Sequence, residues 1–262
     1  MAIGTTEMDR PLLIVTALDA ERKPFEARAT GLAPRAMRGG APEALLVGAI
    51  DGRSVALLRC GVGKLAAAAA TAAAMELSPR GVVSVGSAGA LHSGYAIGDV
   101  VIADEVLQHD FGVVHAAGFD LFGYGATLPS GGDPRIRSIG DLARIALDAS
   151  GSVGPRLVDP SGRGRAVRLS VGTIATGDSF VNDDAARDAI RARTDADLVE
   201  MEGAAIAYVA AQHLLPWLVV RSVSDAGDGE AGVAFDRYLP AASENAATVV
   251  TAILPAFDVA RD

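Results

Sequence analysis

Hydrophobic residues in this chain occur mainly in short continuous runs that end at a polar or glycine-containing segment. Runs of this kind are typical of strands that are covered on both faces of a sheet. They predict strands over residues 12–18, 45–50, 54–60, 82–85, 99–106, 166–175, 197–199 and 217–223. Helical patterns between these runs predict helices over residues 64–77, 139–147, 185–193, 204–213 and 241–254. Strands and helices therefore alternate along the chain, which is typical of α/β proteins.

Turn and capping signals mark several boundaries between these elements. Asp51-Gly52 lies between two β-rich runs and predicts a hairpin. Gly61-Val62-Gly63 turns the chain into a helix, and Asn182 is the predicted N-cap of a later one. Gly86-Ser87-Ala88-Gly89 is predicted to form a loop after a buried strand.

The pattern predicts an α/β fold in a single domain, with three layers, α/β/α, around a central mixed sheet. A chain of 262 residues can use its whole length in one such unit. We find neither an internal repeat nor a linker long enough to divide it. Residues 1–11 are expected to form a flexible N-terminus. Residues 111–165 are rich in Gly, Pro and Asp and are expected to form a lid or an insertion.

Composition narrows the range of partners. Half of the residues are hydrophobic but only 5% are aromatic, which predicts a core of Ala, Val, Leu and Ile. The formal net charge of −9 argues against nucleic acid as a partner, because such binding needs a basic surface, and it favours a small-molecule substrate. No run reaches the roughly 18 apolar residues that span a bilayer, so no membrane partner is expected. The single cysteine, Cys60, cannot form an internal disulfide, which fits a cytoplasmic protein.

Acidic residues follow three of the predicted strands. Asp19 and Glu21 follow the first strand, Glu200 and Glu202 follow the run at 197–199, and Asp225 follows the last strand. Ligands in open α/β sheets bind outside the carboxyl ends of the strands. Cleavage of an N-glycosidic bond needs an acid for the leaving base, a group that stabilises the ribosyl cation, and a base for water. Glu21, Glu202 and Asp225 are the candidates for these three roles.

Each acid taken alone also fits a purely structural role. Acids after strands are often helix N-caps or first-turn residues that the helix dipole stabilises. Glu200 is the best candidate for such a structural acid, although its motif makes it a substrate-binding candidate as well. Met201 lies beside Glu202, and together they offer an apolar surface and a hydroxyl acceptor to a sugar. Acids at three strand ends together are therefore stronger evidence for an active site than any one of them alone.

Two glycine-bearing segments are consistent with more than one kind of site. Gly61-Val62-Gly63-Lys64-Leu65-Ala66 fits the G-x-G-x-x-A pattern of dinucleotide-binding proteins. The next strand ends at Gly86-Ser87 rather than at an acid that could hold a ribose, and close helix packing accounts for these glycines equally well. In the second segment, Ser87 could hydrogen-bond a sugar or a water, while Ala88 and Gly89 would let backbone amides approach a ligand.

Metal-binding patterns are missing from the sequence. The histidines form neither an H-E-x-x-H helix motif nor a Cys/His cluster, so we expect no metal and no cofactor. The four histidines are His92, His109, His115 and His213.

Taken together, the motifs resemble those of bacterial 5′-methylthioadenosine/S-adenosylhomocysteine nucleosidases, in the purine nucleoside phosphorylase superfamily. The resemblance covers nearly the whole chain from residue 12 to about residue 256 and implies a nucleoside phosphorylase-like fold. Its most specific parts are Val-Glu-Met-Glu at 199–202 and Ser-Asp at 224–225. Its other motifs, in chain order, lie at residues 13–21, 61–64, 86–89, 98–101 and 177–182.

The resemblance also implies roles for the candidate catalytic residues. Asp225 would protonate or hydrogen-bond purine N7, with Ser224 holding its carboxylate. Glu202 would bind the ribose. Glu21 would activate the attacking water, and Arg221 would help to orient that carboxylate. No metal or cofactor is needed for this chemistry.

Substrate binding is implied for further residues. Met201 would contact the ribose, Phe180 would stack on the base, and the backbone at Phe180 and Val181 would read the edge of the base. The segment from Phe122 to Pro129 resembles a stretch that family members lend to the pocket of a neighbouring subunit, so a homodimer is expected.

Several alternatives stay open. Leu18 and Ala20 stand where the family commonly has Met and an acid, so the substituent at the 5′ position is the least secure part of the resemblance. A phosphate-binding arginine near the first loop or the Gly61 loop would favour a nucleoside phosphorylase. An NAD-dependent oxidoreductase and a non-catalytic nucleoside-binding protein are the remaining alternatives.

Overall fold

The computed structural model describes residues 10–38, 44–116, 118–123 and 132–259. The strands are β1 (Leu12–Thr16), β2 (Thr30–Pro34), β3 (Leu45–Ile50), β4 (Arg53–Arg59), β5 (Gly81–Ala90), β6 (Val100–Gln108), β7 (Gly112–His115), β8 (Gly118–Leu121), β9 (Arg135–Arg137), β10 (Leu169–Thr176), β11 (Leu198–Glu200) and β12 (Trp217–Asp225). The α-helices are α1 (Asp19–Arg28), α2 (Lys64–Ala74), α3 (Leu142–Ala149), α4 (Asp184–Thr194), α5 (Gly203–Gln212), α6 (Ala231–Ile253) and α7 (Ala256–Val259).

Ten of the strands form one mixed sheet, in the order β11-β10-β6-β12-β5-β1-β4-β3-β2, with β9 added beside β6. β1 pairs in parallel with β4 and β5, and β5 pairs in parallel with β12, whereas β6 and β12 are antiparallel. The end of β5 also pairs with β11. This register puts Gly89 opposite both Val199 and Asp225, and so brings two of the acid-bearing strand ends together.

Helices cover both faces of the sheet, and successive strand residues pack on opposite faces. In β1, Leu12 and Ile14 pack into a core formed with α1, α3 and α6, whereas Leu13 and Val15 pack into a second core with α2 and α5. All four side chains are almost completely buried. Burial on both faces explains why the strands appear in the sequence as continuous apolar runs. The predicted mixed α/β fold is confirmed.

Several local predictions are confirmed as well. β3 and β4 form the predicted antiparallel hairpin, and its turn residues Asp51 and Gly52 have φ values of 49° and 76°. Both angles are positive, as a two-residue hairpin turn of type I′ requires. The predicted helix from residue 64 is α2, continued by a 3₁₀ turn to Leu77.

Two local predictions are wrong. Residues 86–89 are part of strand β5 rather than a loop, because Ser87 and Ala88 pair with β12 and Gly89 pairs with β11. Asn182 is not the N-cap of α4. Asp183 takes that place, and its carboxylate accepts a 2.8 Å hydrogen bond from the amide of Ala186, while the Asn182 side chain accepts one from the amide of Gly232.

Other elements were not predicted or begin elsewhere. α1 lies where the sequence suggested only polar residues after a strand, and α6 begins at Ala231 rather than at residue 241. Within the segment 111–165, α3 packs into the core through Leu142, Ala143 and Ala146, so this half belongs to the main body. β7 and β8 form a separate two-stranded sheet. Residues 124–131 of the expected lid lie outside the described residues, as do residues 1–9.

Because the strands are buried on both faces, shortening a core side chain should lower the stability of the fold strongly. Leu57 in β4 is completely buried, so Leu57→Ala should lower the free energy of unfolding by about 2–5 kcal/mol. Leu214 is 81% exposed, and Leu214→Ala should change it by less than about 0.5 kcal/mol. Urea denaturation of both variants checks this. Equal midpoints would contradict the packing described for β4.

Candidate active site

A cavity of about 360 Å³ lies at the carboxyl ends of the central strands. Most of the predicted site residues contribute to its lining, namely Glu21, Ser87, Ala88, Gly89, Phe180, Glu200, Met201, Glu202, Ser224 and Asp225. Val181 lines a small adjoining cavity together with Phe180 and Asp225. Arg221 and Phe122 are buried but are not in the lining of the main cavity, and Pro129 lies outside the described residues.

Glu21 lies in the first turn of α1 and is buried. Its Oε2 atom accepts hydrogen bonds from the amides of Ala17 and Leu18 at 3.0 and 3.1 Å, and its Oε1 atom accepts one from the amide of Ser87 at 3.1 Å. Burial raises the pKa of the Glu21 carboxyl, although the charge of Arg221 and these amides oppose the shift. The carboxylate is therefore fixed in position and is a better proton acceptor than an exposed one.

Asp225 is the last residue of β12 and is buried. One oxygen accepts a 2.9 Å hydrogen bond from the amide of Gly227, and the other accepts a 2.8 Å bond from the Ser224 hydroxyl. Burial raises the pKa of Asp225, and the hydrogen bonds offset only part of this. A Cβ atom at Gly89 would lie 2.7 Å from Oδ1 of Asp225, so a glycine is needed there. Asp225 can thus hold a proton in the cavity.

Glu202 lies at the turn between β11 and α5. Its Oε1 atom accepts a 2.7 Å hydrogen bond from the amide of Gly63. Burial, together with the nearby charge of Glu200, raises the pKa of Glu202 to about 8. Within the described residues, Glu21, Glu202 and Asp225 form no ion pair. Three carboxylates that have no cation partner in the described part of the chain therefore face one cavity.

Glu200 has a different environment. It forms a buried ion pair with Arg221 and accepts a hydrogen bond from the hydroxyl of Thr176. The amides of Glu202 and Gly203 also donate to its carboxylate, at distances of 2.8–3.0 Å. These contacts fit the structural role considered for Glu200. They also correct the expected role of Arg221, which pairs with Glu200 rather than with Glu21 and acts on Glu21 only through its charge.

The expected function of the segment 86–89 also changes. The amide of Ser87 donates to Glu21, so this one amide holds a catalytic candidate rather than being free for a ligand. A Cβ atom at Gly86 would lie 2.6 Å from Oε1 of Glu21. The small residues of β5 therefore make room for the carboxylates of the neighbouring elements.

Aromatic and apolar side chains complete the cavity. Phe180 is 47% exposed and makes an edge contact with Phe235, with ring centroids 5.7 Å apart. Sequence reasoning missed Phe235 because the predicted α6 began after it, although Ala231 and Phe235 have helical spacing. Val62 and Leu18 also line the cavity. Leu18 ends the predicted strand at 12–18 and Val62 follows the one at 54–60, and as apolar side chains they offered no group for catalysis. Among the described residues, no cluster of His, Cys, Asp and Glu could hold a metal ion.

The raised pKa of Glu202 predicts a pH-dependent effect on stability. A carboxyl that binds its proton more tightly in the folded protein contributes stability that is present below its ordinary pKa of 4.5 and is lost as the pH rises through about 8. Glu202→Gln removes this loss and keeps an oxygen for the Gly63 amide. The Tm advantage of the variant should grow from pH 5 to pH 8.5 by a few degrees, since about 1 kcal/mol shifts Tm by roughly 2–4 °C in a chain of this size.

Differential scanning fluorimetry across this pH range measures the effect. Glu76→Gln, at an exposed residue just after α2, is the control, and its Tm should follow that of the unmodified protein. A Tm difference for Glu202→Gln that stays constant with pH would show that the carboxyl is not the cause.

Comparison with known proteins gives a consistent result. The sequence model of the phosphorylase superfamily matches residues 11–255. A protein of Haemophilus influenzae (strain PittGG) named 5′-methylthioadenosine/S-adenosylhomocysteine nucleosidase is 35% identical over 212 residues, which cover 79% of this chain and 83% of that protein.

Solved structures agree with the sequence relatives. The nucleosidase of the same name from Neisseria meningitidis, in complex with methylthio-immucillin-A, matches with a TM-score of 0.77 and 29% identity, over 94% of this chain and 98% of that one. The one from Colwellia psychrerythraea 34H, in complex with adenine, matches with a TM-score of 0.80 and 28% identity, over 95% and 96%. The chain therefore belongs to the 5′-methylthioadenosine/S-adenosylhomocysteine nucleosidase family of the phosphorylase superfamily.

Proposed function

We propose that this protein hydrolyses the bond between N9 and the ribose of 5′-methylthioadenosine/S-adenosylhomocysteine-type nucleosides and releases adenine. The observation that carries the proposal is the meeting of Glu21, Glu202 and Asp225, all without a cation partner among the described residues, in one cavity. The relatives that carry this name and the related structures with adenine or a methylthio-immucillin support it.

Asp225 is the acid of the proposed reaction. Its raised pKa favours a proton on the carboxyl, and the contacts from Ser224 and Gly227 fix the direction of its oxygens. Donation of this proton to purine N7 withdraws electrons from the glycosidic bond. The base then leaves as a neutral molecule, which lowers the barrier to cleavage.

Glu202 and Glu21 act on the sugar side. The Gly63 amide occupies Oε1 of Glu202, and Oε2 receives no hydrogen bond from the described residues, so it can accept one from a ribose hydroxyl. Met201 offers apolar contact to the same sugar. Glu21 removes a proton from the attacking water, and Ser87, whose hydroxyl lies 3.4 Å from Oε1 of Glu21, contributes a further polar group beside that water.

Charged residues near the cavity favour water over phosphate. The lining of the cavity, as far as the structure describes it, contains no lysine or arginine. Arg22, just after Glu21, pairs with Glu26 and Asp19. Lys64, after the Gly61 loop, pairs with Asp110. A phosphate dianion would find no lysine or arginine to hold it among the described residues that line the cavity, so phosphorolysis is the weaker alternative.

The dinucleotide-binding alternative is weaker still. A dinucleotide needs free amides at the start of the helix after the glycine loop. Here the amide of Gly63 donates to Glu202 and the amide of Lys64 donates to Asp178. Both donors are thus already bound to carboxylates. A non-catalytic nucleoside-binding protein remains as the outcome if no base is released.

The substituent at the 5′ position and the assembly belong to the same proposal. Leu18 and Phe235 give the cavity apolar walls, which suit a thioether substituent.

A homodimer is supported by the apolar rim beside the cavity, where Leu65 is 86% exposed and Val62 is 53% exposed. A cytoplasmic location is supported by the single cysteine, and no described helix is long and apolar enough to cross a membrane.

Replacing the proposed base should abolish turnover. Glu21→Gln should lower kcat by about 10²–10⁴-fold, since it cannot accept the proton of water, while the affinity for nucleoside stays largely unchanged. Release of the base (adenine from methylthioadenosine, adenosylhomocysteine and adenosine, hypoxanthine from inosine) is measured with and without phosphate, and affinity is measured by calorimetry. Glu26→Gln, on the same helix but outside the cavity lining, is the control and should keep full activity. A rate that requires added phosphate would overturn the hydrolase assignment.

If the exposed apolar residues Val62 and Leu65 form the dimer interface, a charge placed there should weaken the dimer. Sedimentation equilibrium should give the mass of two chains, and Leu65→Asp should shift the protein towards single chains, because a buried charge would disrupt the interface. Leu214→Asp, at an equally exposed leucine after α5, is the control and should leave the dimer intact. A single-chain mass for the unmodified protein would rule the dimer out.

A further inference from the structure

The first turn of α2 is capped by a side chain from a distant segment. The amide of Lys64, the first residue of this helix, donates a 2.8 Å hydrogen bond to Oδ1 of Asp178, in the loop after β10. The helix cannot provide this cap itself. Its N-cap position is Gly63, with φ 94° and ψ 159°, a conformation that is essentially restricted to glycine. A serine or aspartate cap is therefore excluded at residue 63.

The hydrogen bond between Lys64 and Asp178 is part of a larger network that also includes Asp110. The Lys64 ammonium donates to Asp110 at 2.6 Å and lies 3.7 Å from Oδ2 of Asp178. The amide of Asp178 in turn donates to Asp110 at 2.8 Å. Burial would raise the pKa of Asp110, but the hydrogen bonds from Lys64 and Asp178 outweigh it and lower that pKa. We call these residues the Lys64–Asp110–Asp178 network.

The network joins the two loops that border the substrate cavity. On one side, Gly63 immediately precedes Lys64, and its amide holds Glu202 at 2.7 Å. On the other side, Phe180 follows Asp178 in the same loop and lines the cavity. Asp178 also faces Gly63 closely, since a Cβ atom there would lie 3.2 Å from its Oδ1. Hydrogen bonds at Gly63 and Lys64 thus connect the carboxylate assigned to the ribose with the loop that carries the ring assigned to the base.

We propose that Asp178 is a positioning residue that sets the distance between the ribose-binding and base-binding sides of the cavity by capping α2 from outside. It acts through Gly63 on Glu202 and touches no reacting atom. The proposal rests on the proposed nucleosidase function, because it assigns Glu202 to the ribose and Phe180 to the base.

The alternative is that Asp178 only stabilises a helix, and the chain contains a matched control for it. Asp183 caps α4 with the same chemistry, through a 2.8 Å bond from the amide of Ala186, but α4 contributes no residue to the cavity lining. Asp178→Ala and Asp183→Ala therefore each remove one aspartate cap, but only the first breaks a hydrogen bond between the two loops that border the cavity. Asp183 ends the loop that carries Phe180, and its own bond stays within the first turn of α4.

The test measures kcat, KM and Tm for adenine release by the full chain. We expect Asp178→Ala to lower kcat roughly tenfold or more, with a smaller change in KM, because misplacement by even an ångström weakens contacts made in the transition state. Asp183→Ala should lower Tm by a similar amount and change kcat less than about twofold. Asp178→Asn keeps an oxygen for the Lys64 amide and should recover most of kcat.

Lys64→Met tests whether the residues act as one network. The loss in kcat for Lys64→Met combined with Asp178→Ala should be no larger than the greater of the two single losses, because contacts in one network are not additive. Losses that multiply would overturn the proposal. So would equal kcat values for Asp178→Ala and Asp183→Ala, or failure of Asp178→Asn to recover activity. An unmodified protein that releases no base would instead refute the proposed function.

Discussion

The buried ion pair between Glu200 and Arg221 is the contact around which the site is built. Arg221 lies on β12 and Glu200 ends β11, and both side chains are almost fully enclosed. Such a pair is tolerated inside a protein only when its remaining polar atoms are satisfied, and here Thr176, Ser84 and the amides at the start of α5 supply the partners. The pair fixes β11, β12 and α5 relative to one another.

The ion pair between Glu200 and Arg221 affects the pKa values of the other acids in the cavity. Arg221 forms its ion pair with Glu200, so its charge acts on Glu21 and Glu202 without an ion pair to either of them. Burial then raises the pKa of all three cavity carboxyls, and they can exchange protons instead of remaining fixed anions. The site thus gives up stability to obtain groups that can act as acid and base.

Glycines make this crowding of carboxylates possible. Gly86 and Gly89 lie on β5 directly against Glu21 and Asp225, and Gly203 lies against Glu200, where a Cβ atom would be 3.0 Å from its carboxylate. Gly63 adds a backbone amide that holds Glu202. Sequence motifs that resemble ligand-binding loops therefore serve mainly to bring acidic side chains from different segments close together.

Much of this could be predicted from the sequence. Continuous apolar runs indicated strands buried on both faces, and acids after three of them indicated a site at the carboxyl ends, because parallel neighbours such as β1 and β5 end at one edge. The pattern could not show that β5 extends through residues 86–89, since that strand depends on pairing with β11 and β12. Nor could it identify the partner of Arg221, find Phe235 in the cavity, or show that Asp178 caps α2. These features depend on contacts between residues far apart in the chain, whereas local periodicity and turn chemistry report only on near neighbours.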